Sequence, residues 1–248
     1  MAFVQHPFRL TGKKSLTADV FELTFDSDSA PAPKPGQYIL FHLPSGLKRA
    51  YSISYSSDIQ FSEYGTMPDG SSYYDAQSVG NRFHFIIKRM PFEASGSAEI
   101  CDSEIGAEIL GMGPLGHFVL TEGDIPRLFV GTGTGFAPLY YQIRSLEDRK
   151  FSAKTEFAFG VRNVADLFYQ EEFERLSASY PHFSFAQYLS QDSLEGTKTG
   201  YVTDCLTPEY VSQFREFYVC GSPVMVKSVR ETLAKLGIEK ECVKFEQY

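Results

Sequence analysis

Four short stretches carry the side chains that could bind or react. RAYS, residues 49–52, sets a guanidinium, a phenol and a hydroxyl within four positions, directly after an alternating apolar run. A planar guanidinium fork suits phosphate or carboxylate. VGTGTGFAPL, residues 130–139, has glycines at 131, 133 and 135, which let the backbone turn tightly and let a ligand come close. Pro138 suits the first turn of a helix, and anionic groups are favoured at such a helix start. No lysine follows, as a P-loop requires, and Phe136 stands where the dinucleotide fingerprint G-x-G-x-x-G needs its last glycine. VCGSPVM, residues 219–225, brings Cys220 to the end of an apolar run, and the last residues are FEQY, with Glu246 and Tyr248.

The elements that must position these residues follow two different periods. In VFELTF, Phe21, Leu23 and Phe25 share one face, and in RFHFIIKR, Phe83, Phe85 and Ile87 oppose His84, Ile86 and Lys88. A period of two predicts half-buried antiparallel strands, and the turn-forming segments between them predict a small barrel or sandwich. One short helix is expected within 96–104, and YGTMPDGSSYYDAQSVGN is expected to be a long loop. From about residue 123, short apolar runs at 127–130, 156–159, 183–189, 216–220 and 242–245 alternate with the helix-like segments APLYYQIRSLEDR, VADLFYQEEFERLSAS (164–179), TDCLTPEYVSQF (203–214) and SPVMVKSVRETLAKLG. That alternation predicts a parallel sheet covered by helices on both faces. The expected division is 1–122 for an antiparallel β-barrel domain and 123–248 for an α/β domain. Ligands of open α/β sheets bind at the carboxyl ends of strands, so GTGFAP and CGSPVM are expected to face one crevice.

Composition narrows the function. With 23 Lys and Arg against 31 Asp and Glu, the net charge is −8, which argues against a nucleic-acid partner and against docking to an anionic membrane. Apolar runs fall far short of the roughly 18 residues of a membrane helix, and the first residues lack the features of a signal peptide, so a cytoplasmic protein is expected. The four cysteines are widely spaced, so no zinc or iron–sulfur site is expected. Cys101, Cys205 and Cys242 are read as core thiols. Cys220 is set apart by its place at a strand end.

RAYS in a β-rich first half, GTGFAP opening an α/β second half, CGSPVM on a late strand and an aromatic last residue come in one order. In this the chain resembles the ferredoxin–NADP reductase-like superfamily of flavin oxidoreductases, over nearly its whole length. The resemblance implies an FAD-binding barrel and an NAD(P)-binding α/β domain. It implies that Arg49 binds flavin phosphate, that Tyr51, next to Ala50, lies against the isoalloxazine, and that Ser52 reaches toward flavin N5. It also implies that the backbone of Ile86, Ile87, Lys88 and Arg89 runs along the flavin. Many relatives then carry P-G-G-x-x-[ST]. Here Phe92 and Glu93 replace the glycine pair, the hydroxyl position is shared among Ser95, Gly96 and Ser97, and Ala107 replaces a usual aspartate. Gly133, Thr134 and Gly135 match the turn near nicotinamide and pyrophosphate. Cys220 and Gly221 match a C-G-x-x-x-M segment whose cysteine sits beside nicotinamide C4. Glu246 and Tyr248 match a terminal E-x-Y whose tyrosine covers the flavin, and the catalytic set is Ser52, Cys220, Glu246 and Tyr248.

The resemblance further implies hydride transfer from NAD(P)H to FAD and electron release to a separate acceptor such as ferredoxin or flavodoxin. Relatives using NADPH often carry an S-R pair after the third strand. Ser190–Gln191 stands here, with Arg162 and Lys198 as partial substitutes, so NADH is favoured over NADPH. An acidic acceptor would need a local basic patch, for which Lys13, Lys14, Lys34, Lys48, Arg82, Lys88 and Arg89 are the candidates. Tyr73 or Tyr74 is a candidate for stacking on the FAD adenine. Three other readings stand beside this one: an NAD(P)H-flavin reductase or reductase subunit of a larger electron-transfer complex, a non-catalytic electron-transfer subunit, and a flavin-free binding module.

Overall fold

The computed structural model describes residues 4–61, 64–66, 72–74, 78–91 and 95–248. Its first half is a closed barrel, built from strands whose alternate residues turn inward. These are β1 (Gln5–Ser15), β2 (Val20–Ser27), β3 (Tyr38–His42), β4 (Lys48–Phe61), β7 (Ser78–Lys88) and β8 (Glu108–Leu115), hydrogen-bonded in the order β1-β2-β7-β4-β3-β8 with β8 closing on β1. A two-stranded ribbon, β5 (Tyr64–Thr66) with β6 (Ser72–Tyr74), lies between β4 and β7 in sequence. The inward set includes Leu23, Phe25, Phe83, Phe85 and Ile87, as the alternation predicts. Phe8, Phe25, Phe41, Phe83 and Phe85 meet in edge-on or tilted contacts with centroids 5.1 to 5.9 Å apart, the geometry aromatic pairs prefer. Helix α1 (Gly96–Asp102) packs against β4 and β7.

The second half is a six-stranded parallel sheet in the order β12-β11-β10-β9-β13-β14. Its strands are β9 (Arg127–Thr132), β10 (Thr155–Val161), β11 (Phe183–Leu189), β12 (Lys198–Thr199), β13 (Glu216–Gly221) and β14 (Val243–Gln247). Helices α2 (Phe136–Glu147) and α3 (Gln170–Ser179) cover one face, where Leu139, Ile143, Phe173 and Leu176 meet Phe129, Phe157 and Phe159. The other face is covered by α4 (Pro208–Val211) and α5 (Pro223–Lys235), where Val211, Val226, Val229 and Leu233 meet Leu128, Val130, Ala158 and Val219. The strands are buried on both sides, which is why they read as continuous apolar runs.

Two helix-like segments are shorter than their sequence suggests. In 164–179 the helix starts only at Gln170, because Asn163 and Asp166 close a local 3-10 turn and Tyr169 turns left-handed. TDCLTPEYVSQF splits at Thr207, which caps the short helix whose first residue is Pro208; a side-chain cap and a proline begin a new helix rather than continue an old one.

Barrel and sheet share a buried seam. Val20 and Ile86 from the barrel and Phe118 from the connection belong to the same apolar cluster as Leu139, Tyr140 and Ile143 of α2. Gln142 is fully buried there, and its Nε2 donates to the Phe118 carbonyl at 2.5 Å. The connection is also tied to the start of the sheet. Arg127, 2% exposed, donates to Glu216 at 3.0 Å and to the carbonyls of Thr121 and Gly123 at 2.9 and 3.1 Å. A buried charge needs such a full set of partners.

Candidate active site

Parallel pairing brings the first two site residues together. Cys220 on β13 and Glu246 on β14 are register partners, so their side chains leave the same face of the sheet. Glu246 reaches across the crevice to the barrel, where Ser52 Oγ donates to its Oε2 at 3.1 Å. Ser52 is held in β4 opposite Tyr38 of β3. Tyr248 completes the cluster. Its hydroxyl donates to the Thr134 carbonyl, and Cys220 Sγ stands 3.7 Å from that hydroxyl. Tyr248 is 54% exposed, so its hydroxyl end is lodged while its ring keeps an open side.

Burial sets the protonation of this cluster. Burial, then the neighbouring Glu246, pushes the Cys220 thiol far above its ordinary range, so it stays neutral. Burial raises the Glu246 carboxyl too, and the Ser52 hydrogen bond offsets only part of that. The arrangement can pass or hold a proton between Ser52 and Glu246, and it offers Cys220 as a small neutral surface, not as a nucleophile.

Two glycines lock the strand ends that carry these residues. A Cβ on Gly135 would lie 2.2 Å from the Cys220 carbonyl oxygen and 2.6 Å from the Gly221 Cα. Gly221 has φ 151°, and a Cβ there would lie 2.3 Å from Thr132 Oγ1. The turn after β9 and the turn after β13 therefore touch backbone to backbone.

A second cluster lies along β4 and α1. A Cβ on Gly96 would meet Arg49 Cγ at 2.5 Å, so the arginine stem lies over the helix start. Ser95 Oγ caps that helix by accepting from Ala98 N at 3.1 Å, and Ser97 Oγ accepts from Met90 N at 3.2 Å. The Tyr51 hydroxyl is buried without a hydrogen-bond partner among the described residues, a cost that a bound polar group would remove. The paired register of β4 with β7 stops at Ile53–Phe85. Ile86, Ile87 and Lys88 continue along β2 alone, beyond the last β4 partner.

The sequence model of the oxidoreductase NAD-binding domain family matches residues 129–231. The reductase component of propane 2-monooxygenase from Rhodococcus jostii is 28% identical over 251 residues, which is 97% of this chain and 62% of that protein. A subunit of the Na(+)-translocating NADH-quinone reductase of Klebsiella pneumoniae is 33% identical over 162 residues, 61% of this chain. This chain spans about 40% of that subunit's length in the match. The fold superposes on a cytochrome P450 reductase from Amycolatopsis with TM-score 0.80 at 22% identity, covering 99% of this chain and 70% of that one. It superposes on a ferredoxin NADP+ reductase from Neisseria gonorrhoeae, solved with FAD and NADP, with TM-score 0.71 at 19% identity, covering 100% and 99%. Residues 129–231 match an oxidoreductase NAD-binding domain, and the whole chain has the ferredoxin–NADP reductase-like fold.

Within this fold, the remaining candidates fall at the far end of the crevice. Arg162 follows β10, and its carbonyl accepts from Gln191 N at 2.9 Å, so the two candidates are neighbours. Lys198 is turned away onto Tyr188, its Nζ 3.2 Å from the hydroxyl and 5.3 Å from the ring centroid. A residue that the sequence reading passed over stands here. Asp192 Oδ2 accepts from Val164 N at 2.9 Å, placing a carboxylate beside Gln191. Its signal was visible as the acidic residue following Ser190–Gln191 at a strand end.

The basic candidates are mostly engaged. Lys13 Nζ donates to the Cys101 carbonyl at 2.5 Å, and Lys14 lies over the Tyr169 ring at 5.6 Å. Arg82 pairs with Asp26 at 2.8 Å, Lys88 with Asp19 at 2.7 Å and Arg89 with Asp102 at 2.7 Å. Lys34 and Lys48 are the two of the seven without a side-chain partner among the described residues. Cys101 is buried, while Cys205 and Cys242 are half-buried against the core. Phe92 and Glu93, and the side chains of Tyr73 and Tyr74, lie outside the described residues. No described helix is long and apolar enough to cross a membrane.

Proposed function

We propose that this chain is a flavin-dependent reductase: it takes hydride from NADH onto FAD held against the barrel and passes electrons to a separate acceptor. The observation that carries this reading is the Ser52–Glu246 hydrogen bond across the crevice, with Cys220 and Tyr248 beside it. One residue from the barrel, two from the sheet and Tyr248 just after its last strand converge where both halves open.

The residues fit FAD. Arg49 over Gly96 offers a guanidinium at the start of α1 for phosphate, the Tyr51 hydroxyl lacks a partner among the described residues, and the β7 backbone beyond Phe85 has no β4 strand beside it. When bound, the flavin supplies the redox chemistry, accepting a hydride and releasing electrons. The chain supplies position. Ser52 holds a hydroxyl at the crevice, and Glu246, its affinity for a proton raised, can exchange one with it. Tyr248 shields the open side until the nicotinamide displaces its ring, and the neutral Cys220 shapes the pocket that receives it. The Gly133–Gly135 turn approaches the donor's pyrophosphate.

NADH is the proposed donor. A 2′-phosphate would meet uncharged Gln191 and the Asp192 carboxylate where an arginine would be needed. Lys198 is engaged with Tyr188, which leaves Arg162 as the nearby cation among the proposed contacts.

The acceptor reading divides. A ferredoxin or flavodoxin is acidic and needs a dense cationic patch, yet five of the seven candidate cations already have partners. That favours the second reading, a reductase component serving a larger electron-transfer complex, as the propane 2-monooxygenase reductase is by name.

Anaerobic visible spectra of the purified protein, before and after NADH and separately NADPH, test the proposal. The expected result is a yellow protein bleached by NADH at lower concentration than by NADPH. A yellow protein bleached by neither refutes the donor half, and a protein that stays colourless with added FAD refutes the whole.

A further inference from the structure

Strand β4 carries a bulge just past Ser52. Before it, Ile53 stands opposite Phe85 of β7; after it, Tyr55 stands opposite His84. Ser54 is therefore the extra residue on β4, and the alternation of faces changes phase there. Phe83 and Phe85 point into the barrel, so His84 points out and Tyr55 with it, their rings 6.0 Å apart. An unbroken register would set Tyr55 opposite Phe83, inside the core. Bulges re-aim side chains, and this one aims Tyr55 at helix α2.

α2 meets Tyr55 with two side chains. Tyr141 approaches it edge-on, with centroids 5.8 Å apart and planes at 66°. Although it belongs to α2, Tyr141 is 9% exposed and joins the barrel's own apolar cluster. Its hydroxyl donates to the Pro33 carbonyl at 3.4 Å. One turn further on, the Arg144 guanidinium lies 5.9 Å from the centre of the Tyr55 ring and 6.0 Å from that of Tyr140, within the reach of cation–π attraction. Its other contacts lie in the sheet half. Nη1 donates to Glu172 of α3, which also accepts from the Tyr140 hydroxyl at 2.9 Å, and Nε stands 2.8 Å from Glu147. Arg144 thus joins β4, α2 and α3 at one point.

That joint lies between the two halves of the candidate site. β4 carries Ser52 three positions before Tyr55, and α2 begins immediately after the Gly133–Gly135 turn. Close-packed elements transmit a displacement instead of absorbing it. We propose, on the reductase reading above, that Tyr55 is a positioning residue: through Tyr141 and Arg144 it sets the distance and angle between the glycine turn that receives the donor and the barrel strand that holds the flavin. Tyr55 is not among the proposed contacts of either flavin or nucleotide. Its loss should therefore spare both binding steps and slow the one step that needs both halves in register.

The test is Tyr55→Ala in the full FAD-loaded chain, with Tyr55→Phe as the conservative variant. Tyr55 is 36% exposed, so truncation opens a notch to solvent and not an enclosed cavity. Anaerobic stopped-flow reduction by NADH reads the limiting rate and the donor's apparent Kd separately; dithionite reduction, the flavin spectrum and Tm are the controls. In Tyr55→Ala the limiting rate is expected to fall about tenfold, less than the roughly 100-fold that a 1 Å misplacement can cost, with the donor's Kd and dithionite reduction unchanged. Tyr55→Phe keeps the ring and is expected to keep the rate. Arg144→Met is expected to lower the rate too, and the double variant to lose less than the product of the two single losses, as residues in contact do. A purely structural role would lower Tm and leave the limiting rate alone. A wild-type limiting rate in Tyr55→Ala overturns the inference, and so does strict multiplication of the two single losses. Should Tyr55→Ala fail to fold, the limiting rate of Arg144→Met decides in its place. If the wild type is reduced by neither nucleotide, the reductase reading falls and this inference with it; if the wild type is reduced and Tyr55→Ala matches it, this inference alone falls.

Discussion

Replacing Gly135 by alanine separates the cost of stability from the cost of displacement at the site. Gly135 has φ −58° and ψ −12°, which alanine adopts freely, so the backbone conformation resists nothing. Space resists. The new Cβ would lie 2.2 Å from the Cys220 oxygen, 2.4 Å from its carbonyl carbon and 2.6 Å from Gly221 Cα, and contacts under 3.0 Å are essentially never seen. All three atoms are backbone, so no rotamer change relieves them, and the end of β13 must retreat by about 0.8 Å. Overpacking of this kind costs about 1–3 kcal/mol. In a chain of this size each kcal/mol lowers Tm by about 2–4 °C, so a fall of roughly 2–12 °C is expected. Gly237 supplies the control. It follows α5 at φ 80° with nothing within 4 Å of an added Cβ, so Gly237→Ala costs about 1–2 kcal/mol of conformation alone. Both variants should melt lower. Only Gly135→Ala should move Cys220, and a shift near 1 Å at reacting groups costs about 100-fold in rate. Thermal melting together with single-turnover reduction by NADH reads both quantities. Equal rates in the two variants, or a wild-type Tm for Gly135→Ala, would refute the claim that the strand ends are locked by backbone contact.

Arg49→Ala should weaken FAD retention by about 10- to 150-fold, the value of about 1.5–3 kcal/mol for a hydrogen bond to a charged group; equilibrium dialysis with flavin absorbance checks this, and unchanged retention would remove Arg49 from the site. The pair Gln191→Arg and Asp192→Ser should move the NADPH-to-NADH ratio of kcat/KM up by at least about tenfold, the scale of one charge-assisted contact; a constant ratio would place the 2′ position elsewhere. Glu22 gives a pH signature. Burial raises its carboxyl, but His84, Tyr169 and Lys14 together more than offset that, and its pKa ends below the ordinary range. A carboxyl lowered on folding stabilises above its unfolded value, and that stability is lost as pH falls through the folded value. The Tm advantage of wild type over Glu22→Gln should therefore be full near neutrality and shrink on acidification; a gap that widens in acid would contradict the assignment.

Much of the architecture was legible because both halves obey simple periods. Phe83, Phe85 and Ile87 alternate with His84, Ile86 and Lys88, and the structure sends the first set into the barrel core. The parallel strands read as unbroken apolar runs because helices cover both faces. The failures have local causes. The segment 164–179 carries helical periodicity, yet Asn163, Asp166 and Tyr169 delay the helix to Gln170 through side-chain and left-handed turns. Such choices depend on partners far away in sequence, Lys14 over the Tyr169 ring among them, which no window around Tyr169 contains.

The candidate site shows the same division more sharply. Ser52 and Glu246 are 194 positions apart and meet at 3.1 Å; their residue types were readable, but their bond exists only because β14 pairs with β13 and the crevice faces β4. The glycines mislead in a useful way. In sequence Gly135 and Gly221 look like space left for a ligand, whereas the structure fills that space with the other turn's backbone. The cations mislead likewise: seven basic residues suggest a patch, but Asp19, Asp26 and Asp102 lie across strands or loops and take three of them. In each case the residue type was informative and the partner was not, because pairing is decided by register across the fold. On the proposed reductase reading, an acceptor surface is therefore to be sought among groups that the fold leaves exposed and unpaired, not among the charges that a linear count supplies.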